Sequence, residues 1–181
     1  MKIKYSILIV FIILLGFMSI QTISFLTEGR SYYFKRTEST DLSNESFGNV
    51  QLDDNIYSPS FIKQYGVPLD RDNNDLYDYY HWEGGLETAS IISGKEKGKI
   101  VRLIIEEEDM KRNSLKTAKG IILGNTKHGV FSLYGSNYYK RVEQGVDIIG
   151  YVDHKLGVTL EFWLVEGEKV AMIRLDDANI E

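Results

Sequence analysis

Along the C-terminal third of the chain, apolar and polar positions alternate with a period of two. Val158, Leu160, Phe162 and Leu164 fall on one side, and Thr159, Glu161, Trp163 and Val165 on the other. That is the pattern of a strand with one buried face. The next run sets Ala171, Ile173 and Leu175 against Val170, Met172 and Arg174. An earlier run, Val101, Leu103 and Ile105 against Ile100, Arg102 and Ile104, follows the same scheme. Glu166-Gly-Glu168 reads as the hairpin turn between two such strands, and Glu96-Lys-Gly98 occupies the matching place upstream.

The matching places form a series. Phe61 to Gly66 returns as Val130 to Gly135 at an offset of 69, and Asp78 to Trp82 returns as Asp147 to Tyr151 at the same offset. Thr88 to Ile92 returns as Thr159 to Trp163 at 71, and Lys99 to Ile105 as Lys169 to Leu175 at 70. Four blocks in one order at nearly constant spacing predict a duplicated unit. Each copy opens with a short helix that ends at Tyr-Gly, where glycine accepts the left-handed stop conformation. Ser58-Pro-Ser60 marks the start of the first helix and Asn125 or Thr126 the cap of the second. Three strands follow in each copy. The predicted fold class is α+β: two tandem units, 47–109 and 117–181, each a short helix packed on an antiparallel meander.

Upstream, Lys2 and Lys4 precede an uncharged apolar stretch over residues 5–26. A bilayer core takes roughly 20 helical residues, so the stretch predicts a signal anchor that crosses the membrane. Thr22-Ile-Ser24 is a poor cleavage site, and secretion after cleavage is the alternative. The flanking lysines place the N-terminus inside and the rest of the chain outside, at the cell membrane. Residues 27–46 are polar and aperiodic and predict a mobile linker.

Composition narrows the partners. The chain has no cysteine, which excludes disulfides, thiolate metal sites and cysteine nucleophiles. Residues after 30 carry 18 basic and 25 acidic side chains. An acidic ectodomain argues against nucleic acid, which needs a basic footprint. Absence of cysteine fits an envelope that does not rely on disulfides, as in many Gram-positive bacteria.

Gly120-Ile-Ile-Leu-Gly124, then Val130, Tyr134-Gly135 and three strands, resembles a motif of small extracytoplasmic bacterial proteins. It is similar to the superfamily that includes the β-lactamase inhibitor protein and the small outer-membrane assembly lipoproteins. The resemblance covers 47–181. It implies that two tandem units join their sheets into a surface that grips another protein. The inhibitor's cysteines are absent here, so the resemblance implies architecture and not inhibition.

Candidate chemistry is sparse. His81, His128 and His154 have no metal-site spacing, and no nucleophile elbow, P-loop or dinucleotide fingerprint occurs. Neither catalytic residues nor a cofactor are nominated. Asp70, Asp72 and Asn74 have the alternate spacing of a calcium loop, but Asp75 replaces its glycine and His81 its bidentate glutamate. Aromatics are the better clue. Trp163 falls with Thr159 and Glu161 on the face away from the expected core, and offset 71 makes Ile92 its counterpart. Trp82, Tyr80 and Arg102 complete the expected binding surface, since Trp, Tyr and Arg dominate protein contacts. The alternative is that this face is covered by the other unit, the linker or a second copy. The expected function is a membrane-anchored, non-enzymatic module that binds another envelope protein. The rivals are a ligand or calcium sensor and an envelope enzyme with an unrecognised site.

Overall fold

A computed structural model of the chain describes residues 29–106 and 115–180. Two compact units divide it at Arg36. Of the first, the described part is helix α1, Arg30–Arg36, whose Arg36 guanidinium lies 3.9 Å over the Tyr32 ring. The described part of the second unit, from Thr37 onward, holds helices α2 (Pro59–Tyr65) and α3 (Lys127–Tyr134) and eight strands.

The strands are β1 (Asp70–Asn73), β2 (Tyr77–Trp82), β3 (Leu86–Ile91), β4 (Ile100–Glu106), β5 (Tyr139–Glu143), β6 (Val146–Asp153), β7 (Val158–Val165) and β8 (Lys169–Asp177). They form one antiparallel sheet in the order β1-β2-β3-β4-β8-β7-β6-β5. The expectation of two tandem helix-on-meander units is therefore corrected to one eight-stranded antiparallel sheet. β4 and β8, the last strands of the two halves, pair along Arg102–Glu106, so the halves merge into one sheet with one core. Each half has four strands where three were expected. β1 and β5 are short edge strands whose polar sequences, Asp-Arg-Asp-Asn and Tyr-Lys-Arg-Val-Glu, hide their period.

No helix among the described residues is long and apolar enough to cross a membrane. The apolar stretch 5–26 lies outside the described residues. The transmembrane anchor, and the cell-membrane location and membrane contact inferred from it, are accordingly set aside.

Helices α2 and α3 form where the caps predict. Ser58 accepts from the Phe61 N–H and Thr126 from the Gly129 N–H, and Gly66 and Gly135 end the two helices with positive φ. Both lie on one face of the sheet and insert Phe61, Val130 and Tyr134 into a core with Leu103, Ile105, Leu160, Phe162, Ile173 and Leu175. Burying large apolar side chains at about 1.5–3 kcal/mol each is what holds this layer together.

The face pattern of β4 and β8 differs from simple alternation. Ala89 pairs with Arg102 but Ser90 with Ile100, so Val101 bulges out. Trp163 pairs with Met172 but Leu164 with Val170, so Ala171 does the same. Val101 and Ala171, 70 residues apart, thus leave the core face expected for them, and Ile100 and Val170 take their places, each wholly buried. A bulge shifts the side-chain phase by one position, which period-two reading cannot see.

Residues 37–46 are not a free linker. Ser39 bridges Val152, the Leu42 N–H donates to Asp153, and the Leu42 side chain is buried in the main core. Glu45 is buried and accepts at 2.7 Å from both the Ala118 N–H and the Tyr134 hydroxyl. Two charge-assisted bonds from elements far along the chain fix this polar segment against the second half of the sheet.

Candidate protein-binding surface

The helices cover one face of the sheet. The opposite face divides into two parts with different chemistry. In the N-terminal half it carries Tyr77, Tyr79, Ala89, Ile91 and Val101, an apolar group joined by Ile180 from the chain's end. In the C-terminal half it carries a row of charges that crosses the strands.

That row is built by period-two placement. Tyr139, Arg141 and Glu143 share this face of β5, Glu161 and Trp163 this face of β7, Arg174 and Asp176 this face of β8, and Arg102 this face of β4. Arg141 donates from Nε and Nη2 to the two Glu161 oxygens, each at 2.9 Å, and from Nη1 to Glu143. Arg174 donates to Glu161 and also lies 3.3 Å from Asp176. Asp176 in turn accepts from Arg102 at 2.7 Å. Three arginines and three carboxylates alternate along the row.

Glu161 is its centre, fully buried on the side of the sheet away from the helices. Burial pushes its carboxyl up. The bonds from Arg141 and Tyr139 and the charges of Arg174 and Arg141 override that and hold it down at about 2. Burial likewise opposes the charge on Arg141, and its bonds to Glu161 and Glu143 still raise it. A buried charge is tolerated only when paired and hydrogen-bonded, and Glu161 meets that condition with three partner side chains from two strands, β5 and β8.

Trp163 is half-buried beside this row. The Arg174 and Arg141 guanidinium carbons lie 5.1 and 5.6 Å from its ring centre, within cation–π range. Its indole N–H is buried and has no hydrogen-bond partner among the described residues.

The other expected surface residues are distributed differently. Arg102 lies on the same face, bonded to Asp176. Trp82 and Tyr80 do not: both belong to the main core. Trp82 is 4% exposed, packs edge-on to Phe61 at 4.8 Å and donates its N–H to Thr88. Alternation along β2 sends Tyr79 and His81 to one face and Tyr80 and Trp82 to the other, and α2 decides which is buried. Ile92 lies beyond the end of β3, and the residue in the Trp163 position of the first half is Ala89.

The residues with calcium-loop spacing are placed in a strand and a turn. Asp70 and Asp72 sit in β1, where each accepts from the next residue's backbone N–H. Asn74 forms the β1–β2 turn by accepting from the Leu76 and Tyr77 N–H groups. No cluster suited to a metal ion occurs among the described residues. His81 lies 3.1 Å from Glu87, and the His154 ring lies 2.8 Å from the Thr37 carbonyl.

Sequence reasoning missed Tyr139, Arg141, Arg174 and Asp176 as members of one site. The available signal was Tyr-x-Arg-x-Glu in β5 and Arg-x-Asp in β8, opposite a glutamate inside the apolar run of β7.

No family model matches the chain, and no curated protein matches it. Among solved structures, a DUF4309 family protein (YjgB) from Bacillus subtilis is similar at 18% identity, over 65% of this chain and 75% of that one, with a TM-score of 0.41.

Proposed function

We propose that this chain is a non-enzymatic module that binds another protein through the sheet face opposite its helices, with Trp163 at the centre of the contact. The observation that carries this reading is the setting of Trp163: a half-buried aromatic ring on the sheet face away from the helices, flanked by two arginines. Trp and Arg supply most of the energy in protein interfaces. A partner packed on the accessible part of the ring would exclude water from it and from the two guanidinium groups beside it, which strengthens cation–π attraction. Because Arg141, Arg174 and Arg102 are already paired with carboxylates, a partner covering them need not bring counter-charges of its own. The resemblance to the β-lactamase inhibitor superfamily, whose joined sheets grip another protein, accords with this use of the face.

The full chain with an affinity tag, applied to extract of the source organism, tests the reading. Wild type, Trp163→Phe, Trp163→Ala and the helix-side control Lys63→Ala are compared by quantitative mass spectrometry. A protein retained by wild type and Lys63→Ala but depleted at least tenfold by Trp163→Ala is the expected outcome. Identical recovery by all four would overturn it.

A further inference from the structure

The two edges of the sheet are built differently. β1 exposes Asp70, Arg71, Asp72 and Asn73 in succession, the charged edge that discourages strand pairing. β5 exposes Val142 at 65% and has, on the helix side, a partly open cavity of about 170 Å³. Lys140 and Val142 of β5, Asp147 and Ile149 of β6, Leu164 of β7 and Lys127 at the start of α3 line it. Its floor is apolar, since Ile149 and Leu164 are buried.

The charges around this cavity are uncommitted. Among the described residues, Lys127, Lys140 and Asp147 form no ion pair, and the Lys140 ammonium lies 5.5 Å over the Tyr138 ring. Arg141 also lines the cavity, but its guanidinium is bound to Glu161 and Glu143. Two free lysines against one aspartate leave the mouth positive. Beside it runs an edge strand without a ninth strand among the described residues. An edge with main-chain groups to offer and an adjacent side-chain pocket is the arrangement used in recognition by strand addition.

We propose that β5 accepts an extended acidic segment of another protein as a ninth strand, with one of its carboxylates seated between Lys127 and Lys140. Backbone bonds to β5 would hold the segment, and the cavity would select the side chain. A second copy is a poorer occupant through its own β5, because Lys140 and Arg141 would meet their own kind across the pair. This edge is independent of the Trp163 surface, and the two are tested separately.

The probe is a capped ten-residue peptide of alternating valine and glutamate, titrated into the isotope-labelled full chain and followed by amide NMR. Its counterparts carry glutamine for glutamate, or N-methylated backbone on one edge. The expected result is saturable shifts confined to residues 127–128 and 139–149, with binding at least tenfold weaker for either counterpart. The Lys127→Glu/Lys140→Glu variant, altered only at solvent-accessible lysines, should lose at least tenfold, as should Val142→Pro. Trp163→Phe should bind as wild type. Equal binding of the glutamate and glutamine peptides, indifference to the lysine reversals, shifts elsewhere, or no binding at millimolar peptide would each overturn the proposal. Concentration-dependent self-association that broadens these same amides would show a second copy on the edge, and would overturn it too.

Discussion

The Tyr139 hydroxyl donates to Glu161 at 2.5 Å by passing directly over Gly150. β5, β6 and β7 place Tyr139, Gly150 and Glu161 in one cross-strand row. A Cβ on Gly150 would stand 2.0 Å from the tyrosine ring carbon Cζ. The glycine is therefore the gap through which an edge-strand side chain reaches the buried carboxylate at the centre of the charge row.

Gly150→Ala should displace the Tyr139 ring and destabilise the fold by about 1–3 kcal/mol, the usual cost of overpacking. In a Tyr139→Ala background the same substitution should cost much less. Urea denaturation of the two single variants and the double variant measures the coupling. Additive effects would contradict the role given to Gly150.

Glu161 makes stability depend on pH in a defined window. Its folded carboxyl sits near 2 against an ordinary 4.5. A depressed folded value means the contribution is complete above the unfolded value, and it is lost as pH falls from about 4.5 toward 2. The full effect is on the order of 3 kcal/mol. Melting curves across that range should show a loss that Glu161→Gln flattens. At neutral pH that variant should be less stable by about 3–5 kcal/mol, because it leaves arginines without their shared partner.

Glu45 ties the segment before the first half to the second. Glu45→Ala removes the acceptor of the Ala118 N–H and the Tyr134 hydroxyl, at an expected cost of about 2–4 kcal/mol for two charge-assisted bonds. Limited proteolysis should then cut within 37–46, where the wild type resists. Unchanged resistance would show that the contacts of Ser39, Thr40 and Leu42 hold the segment without Glu45.

These relationships were only partly legible in the sequence. The helix ends at Tyr65-Gly66 and Tyr134-Gly135 and the buried side of β7 follow from capping and alternation. The repeat spacing concealed a compensation. Trp82 pairs with Leu86, four residues on, while Tyr151 pairs with Leu160, nine residues on. The second hairpin is thus five residues longer, and the following turn at 166–168 is shorter than the stretch 92–99, so the offset returns to 70. That is why Ile92 aligned with Trp163 although Ala89 occupies its place. The bulges at Val101 and Ala171 hid the phase change in β4 and β8. Residues 37–46 read as a linker because their anchoring uses Glu45 and backbone groups, which leave no apolar period. The row from Glu143 to Arg102 is spread over four strands, and only the strand order brings it together.

A photoreactive phenylalanine analogue tests the binding surface most directly. Met172 pairs with Trp163 on the same face and is half-buried, so the analogue at 172 samples what covers Trp163 while leaving the tryptophan intact. Lys63, exposed on α2, is the control position. Irradiation in cells of the source organism should yield one discrete adduct to another protein from position 172 and none from 63, and Trp163→Ala should abolish it. The same adducts from both positions, none from 172, or only an adduct of this chain to itself would contradict the assignment of this face to a protein partner.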